Sequence, residues 1–235
     1  MKQENYIRGM IMIILSAFFF ACMNVSVRLA GDLPSVQKSF FRNLVAAFFA
    51  AIILIKNHTA PKVEKTQWGS LFLRCAFGTL GILCNFYAID HLLVADASIL
   101  NKLSPFFAII FSFLLLKEKI KPAQAMCVIL AFVGCLFVVK PGFENAHLIP
   151  ALIGVCGGLG AGIAYTMVRK MGTHGVKGPV IVFYFSCFSC IIVIPWIVFH
   201  YQPMSLRQLL TLLLAGLFAA GGQFTITAAY TYAPA

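Results

Sequence analysis

Long apolar runs alternate with short polar gaps along the whole chain, and little sequence is left outside them. A helix needs about 20 consecutive apolar residues to cross a ~30 Å hydrocarbon layer. Eight runs meet or approach that length: residues 7–30, 34–55, 68–89, 95–116, 122–139, 148–167, 179–199 and 206–232. Strands of a membrane barrel would read as alternating segments of ~10 residues, and none of the runs alternates. The pattern predicts an all-α polytopic membrane protein, a helix bundle with about eight transmembrane helices.

Composition agrees: 61% of the residues are hydrophobic and 11% charged, against roughly 25% charged in soluble domains. The 235 residues hold one bundle and leave no room for an appended enzyme domain. The net charge of +11 does not point to nucleic acid, because most basic residues sit in the gaps rather than on one soluble face. Lysine and arginine concentrate on the cytoplasmic side of membrane proteins. With the N-terminus in the cytoplasm that side carries eleven of them, from Lys2 and Arg8 to Lys177, including Lys119 and Lys121. The opposite side carries four, Arg28, Lys38, Lys140 and Arg207. The eight cysteines all lie in apolar runs, where thiols act as small hydrophobes. Cys187 and Cys190 form a CxxC without a second pair or a nearby histidine, so it reads as packing. His58, His91, His147, His174 and His200 fall in gaps or at span ends. No phosphate-binding loop, HExxH or GxSxG stands in the sequence. No cofactor, metal site or catalytic residue is expected, and the partners expected are a small-molecule substrate and the lipid bilayer.

An internal match suggests duplication. Residues 78–97 align without a gap on 216–235, placing Asn85-Phe86 on Gln223-Phe224, and Val27-Arg28 falls on Val168-Arg169 at nearly the same offset. Two repeats follow, 1–140 with five helices and 148–235 with three. An odd number of spans per unit makes the second copy run inverted through the membrane. The second copy ends at the counterpart of Ala97, so partners for the spans at 95–116 and 122–139 are expected to be missing. A homodimer or another partner would then supply those helices.

Polar groups within the spans are the candidates for binding, because a basic residue at mid-helix costs roughly 2.5–3.5 kcal/mol and normally faces a cavity or a partner. Asn24 and Arg28 share a face of the first span, Arg42 and Asn43 lie in the second, and Asn101 and Lys102 in the fourth. Arg74, Gly78, Gly81 and Asn85 form one stripe of the third at the 3.6-residue period. Together they suggest a polar, cationic vestibule open to the outside. Arg28 and Arg74 can instead snorkel to the headgroups, and the asparagines can serve as interhelical glue at ~0.6 kcal/mol each. Arg42 and Lys102 resist those alternatives and would attract a carboxylate or phosphate. Tyr87 and Tyr165 would stack on its apolar part, and Gln223 completes the set. No acid lies mid-span, which argues against a proton-coupled mechanism and for uniport or exchange. Gly154, Gly158 and Gly162 form a close-packing stripe. Gly221-Gly222 weakens the eighth span, and Pro105 removes a backbone donor in the fourth.

Phe40-Phe41-Arg42, together with the stretch FYAIDHLLVADASILNKLSPFFAIIFSFLLLKEKI over residues 86–120, resembles the EamA-type transporters of the drug/metabolite superfamily. Ala97-Ser98, Leu103-Ser104-Pro105 and Glu118 carry the likeness in particular. The resemblance implies ten helices in two inverted five-helix repeats around a central cavity. It also implies substrates such as amino acids, S-adenosylmethionine, vitamins, nucleotide-linked compounds and drugs. The expectation is a secondary transporter, without ATP hydrolysis, that moves a small anionic or zwitterionic metabolite across a bacterial inner membrane by alternating access. A partner-completed or non-transporting membrane subunit, a drug exporter and an intramembrane enzyme are the competing readings.

Overall fold

The computed structural model describes residues 2–118, 122–139 and 148–232; Lys119, Ile120, Lys121, Lys140, Glu144, His147 and residues 233–235 lie outside the described residues. The apolar runs are helices: α1 Lys2–Leu29, α2 Ser35–Lys56, α3 Trp68–His91, α4 Val94–Asn101, α5 Ser104–Leu116, α6 Pro122–Val139, α7 Leu148–Thr173, α8 Gly178–His200 and α9 Leu206–Tyr232. Taken together, α4 and α5 make one pass, and seven passes are long and apolar enough to cross a membrane. The remaining pass, α6, is the shortest at 18 residues.

The fourth span is broken, and its sequence says why. Pro105 has no N–H to give to the Asn101 carbonyl, and its ring would collide with that carbonyl in a continuous helix. The chain turns at Lys102-Leu103 and restarts with the proline in the first turn of α5, where a missing N–H costs nothing. Lys117 then closes α5 in the left-handed conformation, at φ 56°.

Close backbone approach fixes the packing. α1 lies along α9, α3 along α7, α2 against α8 and α9, and α4–α5 against α7. At the α3–α7 crossing a Cβ on Gly81 would stand 3.1 Å from both the Gly157 oxygen and the Ala161 nitrogen. The stripe Gly154, Gly158 and Gly162 faces the broken helix: a Cβ on Gly158 would be 2.8 Å from the Leu100 oxygen, and one on Gly162 only 2.4 Å from Phe107 Cβ. α9 runs through Gly221 and Gly222 unbroken. They accept the rings of Phe19 and Phe20 from α1, and Ser16 Oγ donates to the Gly222 oxygen at 3.2 Å.

Burial is inverted relative to a protein in water. Phe199, Phe137, Ile14 and Val198 stand exposed on the outside, as a lipid-facing surface requires. Arg42, Arg74 and Lys38 head the largest fully buried side chains. α2 carries the contrast within one helix: its buried face is Gln37, Lys38, Ser39, Arg42 and Asn43 in the first half, then Ala46, Ala50 and Leu54.

Polar bonds tie the helices at both ends of the bundle. Where α1 ends and α2 begins, Lys38 Nζ pairs with Asp90 Oδ1 at 2.5 Å and Ser35 Oγ donates to Asp90 Oδ2 at 2.8 Å. Arg28 Nη1 donates to the Ile89 and Asp90 oxygens at 2.8 and 3.0 Å, satisfying carbonyls that the last turn of α3 leaves open. Gln37 exchanges two bonds with the Gln202 backbone. At the opposite end Tyr184 donates to the Pro61 oxygen at 2.8 Å, and two charged ties are longer, Arg169 to Glu118 at 3.4 Å and Lys177 to Thr59 at 3.3 Å.

Candidate functional site

Helices α1, α2, α3, α4, α7, α8 and α9 converge on a central cavity of about 60 Å³. Its polar wall consists of Asn24, Arg42, Arg74, Asn85, Asn101, Tyr165 and Gln223, and its apolar wall includes Phe20, Met23, Phe86 and Phe185. Arg42 is 1% exposed and Arg74 2%, so neither charge reaches solvent or headgroups.

The two guanidiniums share one aromatic ring. The Arg74 guanidinium carbon lies 3.9 Å from the Phe185 centroid and that of Arg42 5.8 Å from it, both within cation–π range. Arg74 Nη2 also donates to Gln223 Oε1 at 2.9 Å, joining α3 to α9. Arg42 Nη1 donates to Asn43 Oδ1. Asn43 stands behind the cavity wall and braces α2 on α8 through its donation to Ser189 Oγ at 2.8 Å. Gly78 makes this arrangement feasible, because a Cβ there would fall 2.1 Å from Arg74 Nη1 and 2.8 Å from the Phe185 ring.

Among the described residues, several buried polar atoms of the lining side chains have no hydrogen-bond partner: the Nε of Arg42 and of Arg74, and the Oδ1 of Asn24 and of Asn85. Asn24 Nδ2 donates to Ser98 Oγ at 3.1 Å, linking α1 to α4. Unpaired buried donors and acceptors cost ~1–3 kcal/mol each, so these atoms mark where a ligand would bond. The cavity thus offers two cations and several amide groups, with no acidic residue among the described residues of its lining.

A second chamber of about 130 Å³ adjoins the first and shares Phe20, Asn24, Asn101 and Tyr165 with it. Its remaining wall holds Ile13, Ala17, Ala21 and Ile226 with Ser16, Ser98, Lys102, Ser104 and Pro105. Tyr165 stacks on Tyr230, their centroids 5.1 Å apart.

The structure therefore brings six of the sequence-predicted residues to the central cavity: Asn24, Arg42, Asn85, Asn101, Tyr165 and Gln223. Four stand elsewhere. Asn43 braces Arg42 from behind, and Arg28 caps α3 at the bundle end. Tyr87 stacks on His91 at 4.0 Å, directed away from the cavity by its place one turn before the end of α3. Lys102 is exposed at the helix break and borders the second chamber, not the central cavity. The second cation of the cavity is Arg74 instead. Its stripe with Gly78 was readable in the sequence, but the direction of its side chain was not. Phe185 carried no signal among 23 phenylalanines.

Residues 7–140 match the EamA-like transporter family. Among curated proteins the chain is 32% identical to the pseudopaline exporter CntI of Pseudomonas aeruginosa, over 95% of this chain and 78% of that protein. It is 25% identical to a riboflavin transporter of Brucella anthropi, over 92% of this chain and 78% of that one. It is 27% identical to solute carrier family 35 member G1 of Homo sapiens, over 94% of this chain and 64% of that one. A solved crystal structure superposes with a TM-score of 0.71 at 15% identity, covering 97% of this chain and 79% of the other, which shows a shared fold. With more than half of its length matched and relatives that carry transporter names, this helix bundle with a cationic core belongs to the EamA-like transporter family.

Proposed function

We propose that this membrane transporter is a secondary carrier for small anionic or zwitterionic metabolites, working by alternating access in a bacterial inner membrane with the N-terminus in the cytoplasm. One observation carries the charge preference: two fully buried guanidiniums line one cavity in which no acid stands among the described lining residues. A carboxylate supplies the missing charge and can bond guanidinium N–H groups in pairs. The open Asn24 and Asn85 oxygens accept from an ammonium or amide N–H, as a zwitterion would offer.

Support for alternation comes from the way the helices pair. If α1, α2 and α3 correspond to α7, α8 and α9, then α1 lying on α9 and α7 lying on α3 are one arrangement seen twice, and α2 against α8 is its own counterpart. The aligned residues Asn85 and Gln223 both line the cavity. Two halves of that kind can rock about a shared central site.

The test is flux in membrane vesicles with a panel of labelled glutamate, S-adenosylmethionine and riboflavin. Saturable flux of at least one carboxylate-bearing probe is expected, with a loss of roughly tenfold or more in Arg42→Gln, because a charged hydrogen bond contributes ~1.5–3 kcal/mol. Flux confined to riboflavin and indifferent to that substitution would overturn the reading.

A further inference from the structure

Uniport and exchange both fit a carrier of this kind, and the space between Arg42 and Arg74 separates them. The two guanidinium carbons can be no farther apart than their distances to the Phe185 centroid, 5.8 and 3.9 Å, laid end to end. Each guanidinium is held by a neutral amide, Arg42 by Asn43 and Arg74 by Gln223, and each keeps an Nε–H without a partner among the described residues. The ion pairs among the described residues, Lys38–Asp90 and Arg169–Glu118, sit at the ends of the bundle. Like charges repel strongly in a low dielectric, and charges buried in proteins are as a rule paired. The arrangement therefore calls for an anion between them.

Size limits which anion. The cavity of about 60 Å³ has room for roughly four to six water molecules at ~10–15 Å³ of accessible space each. One carboxylate group or one halide ion fits there, and a whole metabolite does not. The body of a larger ligand has a way out past Asn24, Asn101 and Tyr165, which line this cavity and the neighbouring 130 Å³ chamber alike. A carboxylate held at the arginines thus leaves its apolar remainder among Ala17, Phe20 and Ile226.

We infer that the Arg42–Phe185–Arg74 seat takes one small monovalent anionic group, the substrate's own carboxylate or a free halide, and that the bundle reorients only with the seat filled, so that transport is exchange of one anion for another. When the walls close on an empty seat, two desolvated cations face each other without compensation, and the return of the empty carrier is slow. When an anion is present, that penalty is absent. The reorientation step rests on the transporter reading above; the seat does not.

Both parts are testable with the whole chain. In lipid nanodiscs without substrate, thermal unfolding is followed in sodium chloride, sodium acetate and sodium gluconate at equal ionic strength. Chloride and acetate should raise the midpoint saturably, and gluconate, whose chain of hydroxyl groups would have to be desolvated against Ala17, Phe20 and Ile226, should not. In Arg74→Gln the anion-dependent rise should vanish, and in gluconate this variant should be at least as stable as the parent, because one of two repelling charges is gone. Arg42→Gln should behave alike and serves if the first variant fails to fold. Midpoints in the parent chain that ignore the anion would overturn the seat. In sealed vesicles, entry of labelled chloride should run at least tenfold faster into chloride-loaded than into gluconate-loaded vesicles. Equal rates, or no flux under either loading, would overturn the exchange step while the unfolding data still stood for the seat.

Discussion

Gly78 decides where a charge goes. A methyl group there would occupy the place of Arg74 Nη1, 2.1 Å away, and crowd the Phe185 ring. Because Nη1 is the far end of a flexible side chain, Gly78→Ala should leave the fold intact and push the guanidinium off Phe185 and Gln223. The expected result is an affinity for acetate lower by about tenfold or more, from the loss of one charged hydrogen bond, with a thermal midpoint close to that of the parent. An unchanged acetate affinity would show that the guanidinium does not need this place. Gly162 is the contrasting case: an added methyl would meet Phe107 Cβ at 2.4 Å and the Ser104 oxygen at 3.0 Å, and backbone cannot step aside. Gly162→Ala should destabilise by about 1–3 kcal/mol, as overpacking does, visible as a lower thermal midpoint in every salt. Of the candidate site, the polar residues were legible because a polar group at membrane depth stands out against its surroundings. Their directions were not. Arg74 turns inward through a glycine on its own helix and a phenylalanine more than a hundred residues away, and Lys102 turns outward because the helix breaks beside it.

Among the elements, the α4–α5 break and the head of α2 carry the most chemistry. The eight spans were readable because a hydrocarbon layer demands length and apolarity together, and Pro105 marked the fourth as irregular. That the break would leave Asn101 on the wall of both chambers depends on how α4 packs on α7, which a single helix does not encode. Pro105→Ala restores a donor for the Asn101 carbonyl and should let α4 and α5 join. Flux of the carboxylate probe is expected to fall while stability changes by no more than about 1 kcal/mol; unaltered flux would mean that the break does not serve the site. At the head of α2 the two partners of one ion pair should respond unequally. The Lys38 side chain is 0% exposed and that of Asp90 20%. Asp90→Asn strands a buried ammonium and should cost roughly 3 kcal/mol. Lys38→Met leaves a carboxylate that water still reaches and should cost about 1 kcal/mol. Thermal unfolding of both variants checks the order, and equal losses would mean that the pair is solvated in the bilayer.

Across the whole molecule, the lysines and arginines crowded into the gaps that include Lys62 and Lys177 predict that those gaps face the cytoplasm. Asp32 and Lys62 are exposed at opposite ends of the bundle. A cysteine at Asp32 should react with an impermeant thiol reagent in intact cells and one at Lys62 should not; the reverse pattern would invert the topology. The polar half of α2 has a consequence for how the chain is made. Asp90 follows Lys38 by 52 residues, whereas Ser189 follows Asn43 by 146 and Gln202 follows Gln37 by 165. Synthesis proceeds at about 5–20 residues per second, so α2 leaves the ribosome on the order of ten seconds before its last partners exist. Through that interval the nascent α2 carries unmatched amides and an arginine that lipid will not solvate. The expected consequence is that α2 stays in contact with water or protein, rather than lipid alone, until α8 and α9 arrive.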